Sequence, residues 1–218
     1  MNSRAYNKEG SLIIVGPAGS GKTALGNKLS ELLQMEVYPA GQKFRDECNK
    51  MDIDISKLSS VPKEKVLVLD RETDNYMQKI IGQPFIITAR TAAMFAHHKS
   101  EQGEISKGSY IAVGVNSTYR IRSLRKYASL KKEWQPGDEP VPSPKVLLQR
   151  FQERDEDDMA RLRFLYRQDY GVRGWDSLYG VPPCDLVLNS ERMSIGQEVQ
   201  QVLALLGIIN NIAELPLR

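Results

Sequence analysis

Gly16-Pro17-Ala18-Gly19-Ser20-Gly21-Lys22-Thr23 fills every position of the phosphate-binding loop pattern GxxxxGK[ST]. The run ahead of it, Leu12-Ile13-Ile14-Val15, is short and wholly apolar, as a strand buried on both faces of a parallel sheet requires. Behind it Leu25, Leu29 and Leu32 recur three to four residues apart, the spacing of one helical face. The loop thus joins a strand to a helix. Its glycines let backbone N–H groups converge at the helix N-terminus, whose partial positive charge favours an anion. A polyphosphate such as that of ATP belongs there, with Lys22 at its β/γ phosphates and the Thr23 hydroxyl on Mg²⁺. Switches, motors and small kinases share this loop, so it does not choose among them.

The chain has 218 residues, enough for one domain with a sizeable core, and its composition is that of an ordinary globular protein. A formal charge of +3 does not announce a nucleic-acid binder, and the placement of the basic residues matters more than their sum. Cys48 and Cys184 are far apart without metal-type spacing, which predicts buried, reduced thiols in a reducing cytosol. No segment approaches the roughly 18 consecutive apolar residues of a membrane span, and Met1 to Gly10 is polar. A cytoplasmic location is expected, with small-molecule partners and neither membrane, nucleic acid nor obligate protein partner.

Glu36-Val37-Tyr38 reads as a second strand, followed by a turn at Pro39-Ala40-Gly41 and a helix from about Gln42 to Met51. Arg45 on that helix suits a bidentate grip on phosphate, although for a lone helical arginine a solvated face is the commoner explanation. Ser60 is placed to cap a helix over Pro62 to Ile81, in which Val66, Leu69, Thr73, Met77 and Ile80 keep helical spacing and which carries Asp70 and Arg71. Phe85-Ile86-Ile87-Thr88 is a third strand. Arg90, just past its carboxyl end, is where a substrate anion binds in open α/β sheets.

Thr91 to His98 predicts a short helix and Lys99 to Gly108 a polar loop; the adjacent His97 and His98 diverge too far on a helix to share an ion and read as surface residues. A fourth strand, Tyr110 to Val115, precedes a basic helix with Arg120, Arg122, Arg125, Lys126, Lys131 and Lys132. Four prolines between Gln135 and Pro144 forbid a helix there. A long helix follows from about Lys145 to Tyr170, and on it Arg154, Asp158 and Arg161 project from one face, as a surface ion-pair ladder or as a site. Cys184 to Leu188 is a fifth strand, and Ser194 with Gln197 has the spacing of a capping box opening a last helix. Five strands alternating with helices predict a parallel sheet covered on both faces, a three-layer α/β/α fold.

Taken together, the loop GPAGSGKT, the AGQKFR element ending in Arg45, the Asp70-Arg71 pair, Arg90, the run RDEDDMAR from Arg154 to Arg161 and CDLVLNSERMSIGQEV resemble the cytidylate kinases, more closely the compact archaeal type. The likeness runs from Leu12 to about Leu203. It implies a single P-loop NTPase domain over 1–218, with a helical nucleoside-monophosphate-binding insertion at about 42–81 and a lid at about 125–161. It also implies that Arg45, Asp70, Arg71 and Arg90 bind the monophosphate, while Arg125, Arg154, Asp158 and Arg161 serve the lid, Asp158 and Arg161 touching substrate as well. The resemblance turns Arg45 and the Arg154/Asp158/Arg161 face from surface into site. Bacterial members of the family carry an Asp-Ser pair and an Asp where this chain has Pro39, Ala40 and Thr91, positions used near the base. The implied reaction moves the ATP γ-phosphoryl to CMP or dCMP, with Mg²⁺. A kinase for another small phosphorylated acceptor and a nucleotide-binding module without transfer are the competing readings.

Overall fold

The apolar run ahead of the phosphate loop forms β1 (Ser11–Val15), the central strand of the all-parallel sheet of five strands found among the described residues. The computed structural model describes residues 9–53, 61–170 and 184–209. The loop leads into α1 (Lys22–Leu33), then β2 (Glu36–Pro39), α2 (Ala40–Lys50), α3 (Lys63–Ile80), β3 (Phe85–Ala89) and α4 (Ala92–Glu101). The second half continues with β4 (Tyr110–Asn116), α5 (Tyr119–Glu133), α6 (Pro144–Tyr170), β5 (Leu186–Asn189) and α7 (Ile195–Leu205). In the sheet order β2-β3-β1-β4-β5, the chain crosses to one side of β1 and then to the other. The carboxyl end of β1 is therefore a switch point, where ligands bind in open α/β sheets.

Strand periodicity divides the core into two layers. Leu12 and Ile14 of β1, with Ile86, Ile111, Val113 and Leu188, pack under Leu25 and Leu29 of α1 and Val199, Val202 and Leu203 of α7. Ile13 and Val15 face the opposite way, joining Ile87, Ala89 and Ala112 beneath Met77, Phe95, Met159, Leu162 and Tyr166 of α3, α4 and α6. Burying apolar side chains on both faces stabilises the sheet by roughly 1.5–3 kcal/mol for each large residue.

Several expected boundaries shift. Leu32 is exposed, and Leu33, one full turn past Leu29, packs on the core instead. Ala40 and Gly41 open α2 rather than forming a turn, since a first helical turn requires no intrahelical N–H bonds. The expected cap Ser60 lies outside the described residues, and α3 begins at Lys63 after Pro62. α4 runs on to Glu101, shortening the polar loop, and His97 is half-buried and paired with Glu101 at 3.3 Å. The fifth strand starts two residues late, because Asp185 bonds Ala112 through both its backbone N–H (2.8 Å) and its carboxylate (2.9 Å) before the ladder begins.

Pro144 itself opens α6, where a missing N–H is harmless, behind the Ser143 hydroxyl that accepts from Val146 N. The capping box at Ser194 and Gln197 forms as expected, with both reciprocal bonds present. Cys48 and Cys184 are buried free thiols. Among the described residues no helix is long and apolar enough to cross a membrane.

Candidate active site

Val15 ends β1 between Ala89 of β3 and Gly114 of β4, so the phosphate loop leaves the sheet at its switch point. Gly16 has φ 152°, and a Cβ there would stand 2.2 Å from the carbonyl oxygen of Val115, so any side chain would drive the loop off β4. Gly21 caps α1 from the left-handed region, with φ 107° and ψ 0°. Ser20 is fully buried beneath the loop, whereas Thr23 is exposed at the first turn of α1.

Three cations engage carbonyl oxygens of this loop. Lys22 Nζ donates to Pro17 O at 2.8 Å. Arg122 Nη1 donates to Ala18 O at 2.8 Å, and Arg125 Nη1 to Ser20 O at 3.3 Å. Burial of its ammonium, together with the positive charges of Arg90, Arg154 and Arg122, pulls the Lys22 pKa down to about 7 against the opposing charge of Asp155.

Beyond the carboxyl end of β3 lies a second charged cluster. Asp158, whose side chain is 4% exposed, accepts from Arg161 Nη2 at 2.7 Å, pairs closely with Arg90 Nη1, and lies 3.8 Å from Arg154 Nε. Arg161 Nε also donates to Asp70 Oδ2 at 3.1 Å. Burial alone would raise the Asp158 pKa, but Arg90, Arg161 and Arg154 outweigh it and hold the carboxyl below its ordinary value. At Asp70 burial prevails over Arg161 and Arg90, and the pKa is raised. A surface ladder would leave its carboxylate in water; this one is buried and shared by three guanidinium groups.

Behind Arg90 a carboxylate absent from the sequence reading completes the cluster. Asp74, one turn past Asp70 on α3, accepts from Tyr166 Oη at 2.6 Å and Thr91 Oγ1 at 3.1 Å. Burial pushes its pKa up to about 6, with those two hydrogen bonds opposing.

Of the residues picked out in the sequence, Asp70, Arg90, Arg154, Asp158 and Arg161 converge. Arg45 stays exposed on α2 and donates to Gln42 Oε1 at 2.6 Å, though its charge helps lower the Arg154 pKa. Arg71 is exposed, one position away from the inward-turned Asp70. Arg125 is tied to Ser190, through its hydroxyl at 3.0 Å and its carbonyl, at the end of β5.

Arg122 and Asp155 were passed over in sequence, yet they form a buried ion pair through two bonds of 2.6 and 3.2 Å. A signal existed. The inward stripe of α6 runs Leu147, Phe151, Asp155, Asp158, Leu162, an apolar heptad interrupted by two carboxylates.

Comparisons with known proteins bear on the fold and on relatives in sequence. The family model of the AAA domain matches residues 15–107, from the end of β1 to the segment before β4. The cytidylate kinase of Sulfolobus acidocaldarius is 39% identical over 92 residues, which make up 41% of this chain and 50% of that protein. The cytidylate kinase of Saccharolobus islandicus is 24% identical over 206 residues, 91% of this chain and 92% of that one. Among solved structures, the shikimate kinase from Acinetobacter baumannii in complex with shikimate superposes with a TM-score of 0.53 and 17% identity, covering 94% of this chain and 97% of that one. At this identity the structural likeness is one of fold, the α/β P-loop architecture.

Proposed function

We propose that the chain is a P-loop phosphotransferase that moves the γ-phosphoryl of ATP to the phosphate of a nucleoside monophosphate, with CMP and dCMP the preferred acceptors. One observation carries this reading: the loop of Lys22 follows Val15 of β1, Arg90 follows the paired Ala89 of β3, and Arg154 and Arg161 gather with Arg90 around Asp158, so two clusters of cations adjoin at the switch point. A donor polyphosphate and an anionic acceptor are what such a pair accommodates. The similarity to cytidylate kinases over nearly the whole chain supports the choice of base.

In this reading Lys22 leaves the Pro17 carbonyl for the β/γ phosphates, whose charge restores its proton affinity. Arg90, Arg154 and Arg161 exchange Asp158 for the acceptor phosphate, and Arg45 and Arg71 fold in from solvent. An acceptor oxygen forms the bond to the γ-phosphorus as the bond to the ADP oxygen breaks, giving CDP or dCDP. The acceptor is already an anion, so no general base is required; positioning and cationic screening are the task. Thr23 would hold Mg²⁺, which neutralises charge on the phosphates. Its lone exposed hydroxyl, with no group of three or more metal-binding side chains among the described residues, suits an ion that keeps water and phosphate as its other ligands. We assign segment 42–81 to acceptor binding and 125–161, spanning most of α5 and α6, to the lid that excludes water.

ADP release measured across CMP, dCMP, UMP, AMP, GMP and dTMP tests this directly. CMP and dCMP should lead the series; absence of ADP release with every monophosphate would remove the proposal. A phosphorylated metabolite is the second acceptor class, favoured by one feature. Thr91, at a base-reading position of the resembled family, is already bonded to Asp74 and free of any carboxylate of its own. If the metabolite alone released ADP, that reading would replace the first.

A further inference from the structure

The pairing of loop carbonyls with cations is unequal. Lys22 reaches Pro17 O on a flexible stem from within the loop's own helix. Arg122 reaches Ala18 O from α5, and its guanidinium is held on several sides. Its guanidinium is 2% exposed and gripped by Asp155 through two bonds. The Tyr119 ring lies 4.5 Å from it, and the Phe151 ring 5.1 Å. Phe151 also closes over the loop, its ring atoms 3.0 and 3.1 Å from where a Cβ on Gly19 would stand. Asp155 cancels the arginine's charge, so Arg122 offers little to an arriving phosphate. What it retains is direction.

In a trans peptide the C=O and the following N–H point opposite ways. Holding Ala18 O toward α5 therefore turns the Gly19 N–H away from α5. Arg125 on Ser20 O acts likewise on the Gly21 N–H, with Ser190 as its anchor. We propose that Arg122, set by Asp155 and enclosed by Tyr119 and Phe151, is a positioning residue. It holds the loop's peptides in the orientation that receives the donor's phosphates and does not itself bind them. This rests on the reading that a donor polyphosphate occupies the loop. It extends that reading by making α5 and α6 part of the donor site before any nucleotide arrives.

Tripolyphosphate is the probe, because it meets the loop without a base, an acceptor or transfer. If the parent protein fails to bind it, the donor-site reading falls and this inference with it; if it binds, the inference is tested alone. Arg122→Met by itself would strand Asp155, so the informative variant is Arg122→Met with Asp155→Leu, which removes both charges together. Thermal unfolding first establishes that this variant folds, and Arg122→Lys serves as the second probe should it not.

The double variant should bind tripolyphosphate about tenfold or more weakly, the loss expected for one charge-assisted bond. Its salt dependence should match the parent's, since no phosphate-binding charge has gone. Arg122→Lys should be weakened comparably, because an ammonium cannot hold Asp155 and Ala18 O in one fork. Affinity within about twofold of the parent in the folded double variant would overturn the proposal. So would a shallower salt dependence, or near-complete rescue by lysine, either of which would make Arg122 a direct phosphate ligand.

Discussion

Replacing Asp158 with alanine removes a carboxylate that three arginines share. Deleting one partner of a buried ion pair costs about 3–5 kcal/mol when the other charge is left uncompensated. Here Arg90 and Arg161 remain 24% and 23% exposed, and Asp70 still accepts from Arg161 at 3.1 Å. Solvent access and the remaining carboxylate bring the cost below that range, to about 2–3 kcal/mol. For a chain of 218 residues each kcal/mol moves the midpoint by roughly 2–4 °C, so Tm should fall by about 4–12 °C. A second arm isolates the cause. Inorganic phosphate must displace Asp158 in the parent but finds vacant arginines in the variant, so it should raise the variant's Tm by more. Thermal unfolding with and without phosphate measures both. A Tm within about 1 °C of the parent, or an equal response to phosphate, would show that Asp158 does not hold the cluster together.

Lys22→Ala should lower turnover about a hundredfold or more, the 3–4 kcal/mol expected for a lost transition-state cation; a variant keeping above about a third of parental turnover refutes the assignment. Because the Lys22 pKa is pulled down to about 7 and an arriving anion raises it, the parent should take up most of a proton more than Lys22→Ala on binding tripolyphosphate at pH 8. Calorimetry in buffers of differing ionisation enthalpy reads that difference, and a difference of zero would exclude it. Arg90→Ala should weaken the monophosphate by roughly 1.5–3 kcal/mol and leave ATP nearly untouched; the reverse pattern would mean the two nucleotide sites are assigned the wrong way round. Asp74, with its folded pKa raised to about 6, contributes stability that is full below the unfolded carboxyl pKa and lost as pH rises through 6. Asp74→Asn should flatten that decline between pH 4 and 7.5 in thermal unfolding, and parallel profiles for parent and variant would sink the idea.

The sheet and its order of elements were legible because strands buried on both faces announce themselves as apolar runs, and the loop fixes where the first one ends. Helix faces were less so. Leu32 and Leu33 sit 100° apart on α1, and spacing alone could not say which continues the Leu25–Leu29 line inward. The site was legible where charge lay in a patterned run, as at Arg154, Asp158 and Arg161. It was obscure where a charged residue replaces an apolar one on an inward stripe: Asp155 and Asp74 look in sequence like solvated neighbours of other charges. Only tertiary packing reveals that α5 supplies Arg122 to the first and α6 supplies Tyr166 to the second.

One consequence follows from the register Val15↔Ala89 between β1 and β3. Gly16 and Arg90 are the next residues on two adjacent parallel strands, so the phosphate loop and the cation proposed for the acceptor start side by side. Their backbones start one hydrogen-bonded interstrand spacing apart, about 4.8 Å, and the side chains reach out from there. In-line transfer demands that two phosphorus centres meet at a fixed distance along one axis. The backbone therefore supplies a common origin. On the proposed reading, substitutions elsewhere in either cluster can change which molecule enters, while the two chain segments that carry Gly16 and Arg90 keep the spacing of one interstrand gap.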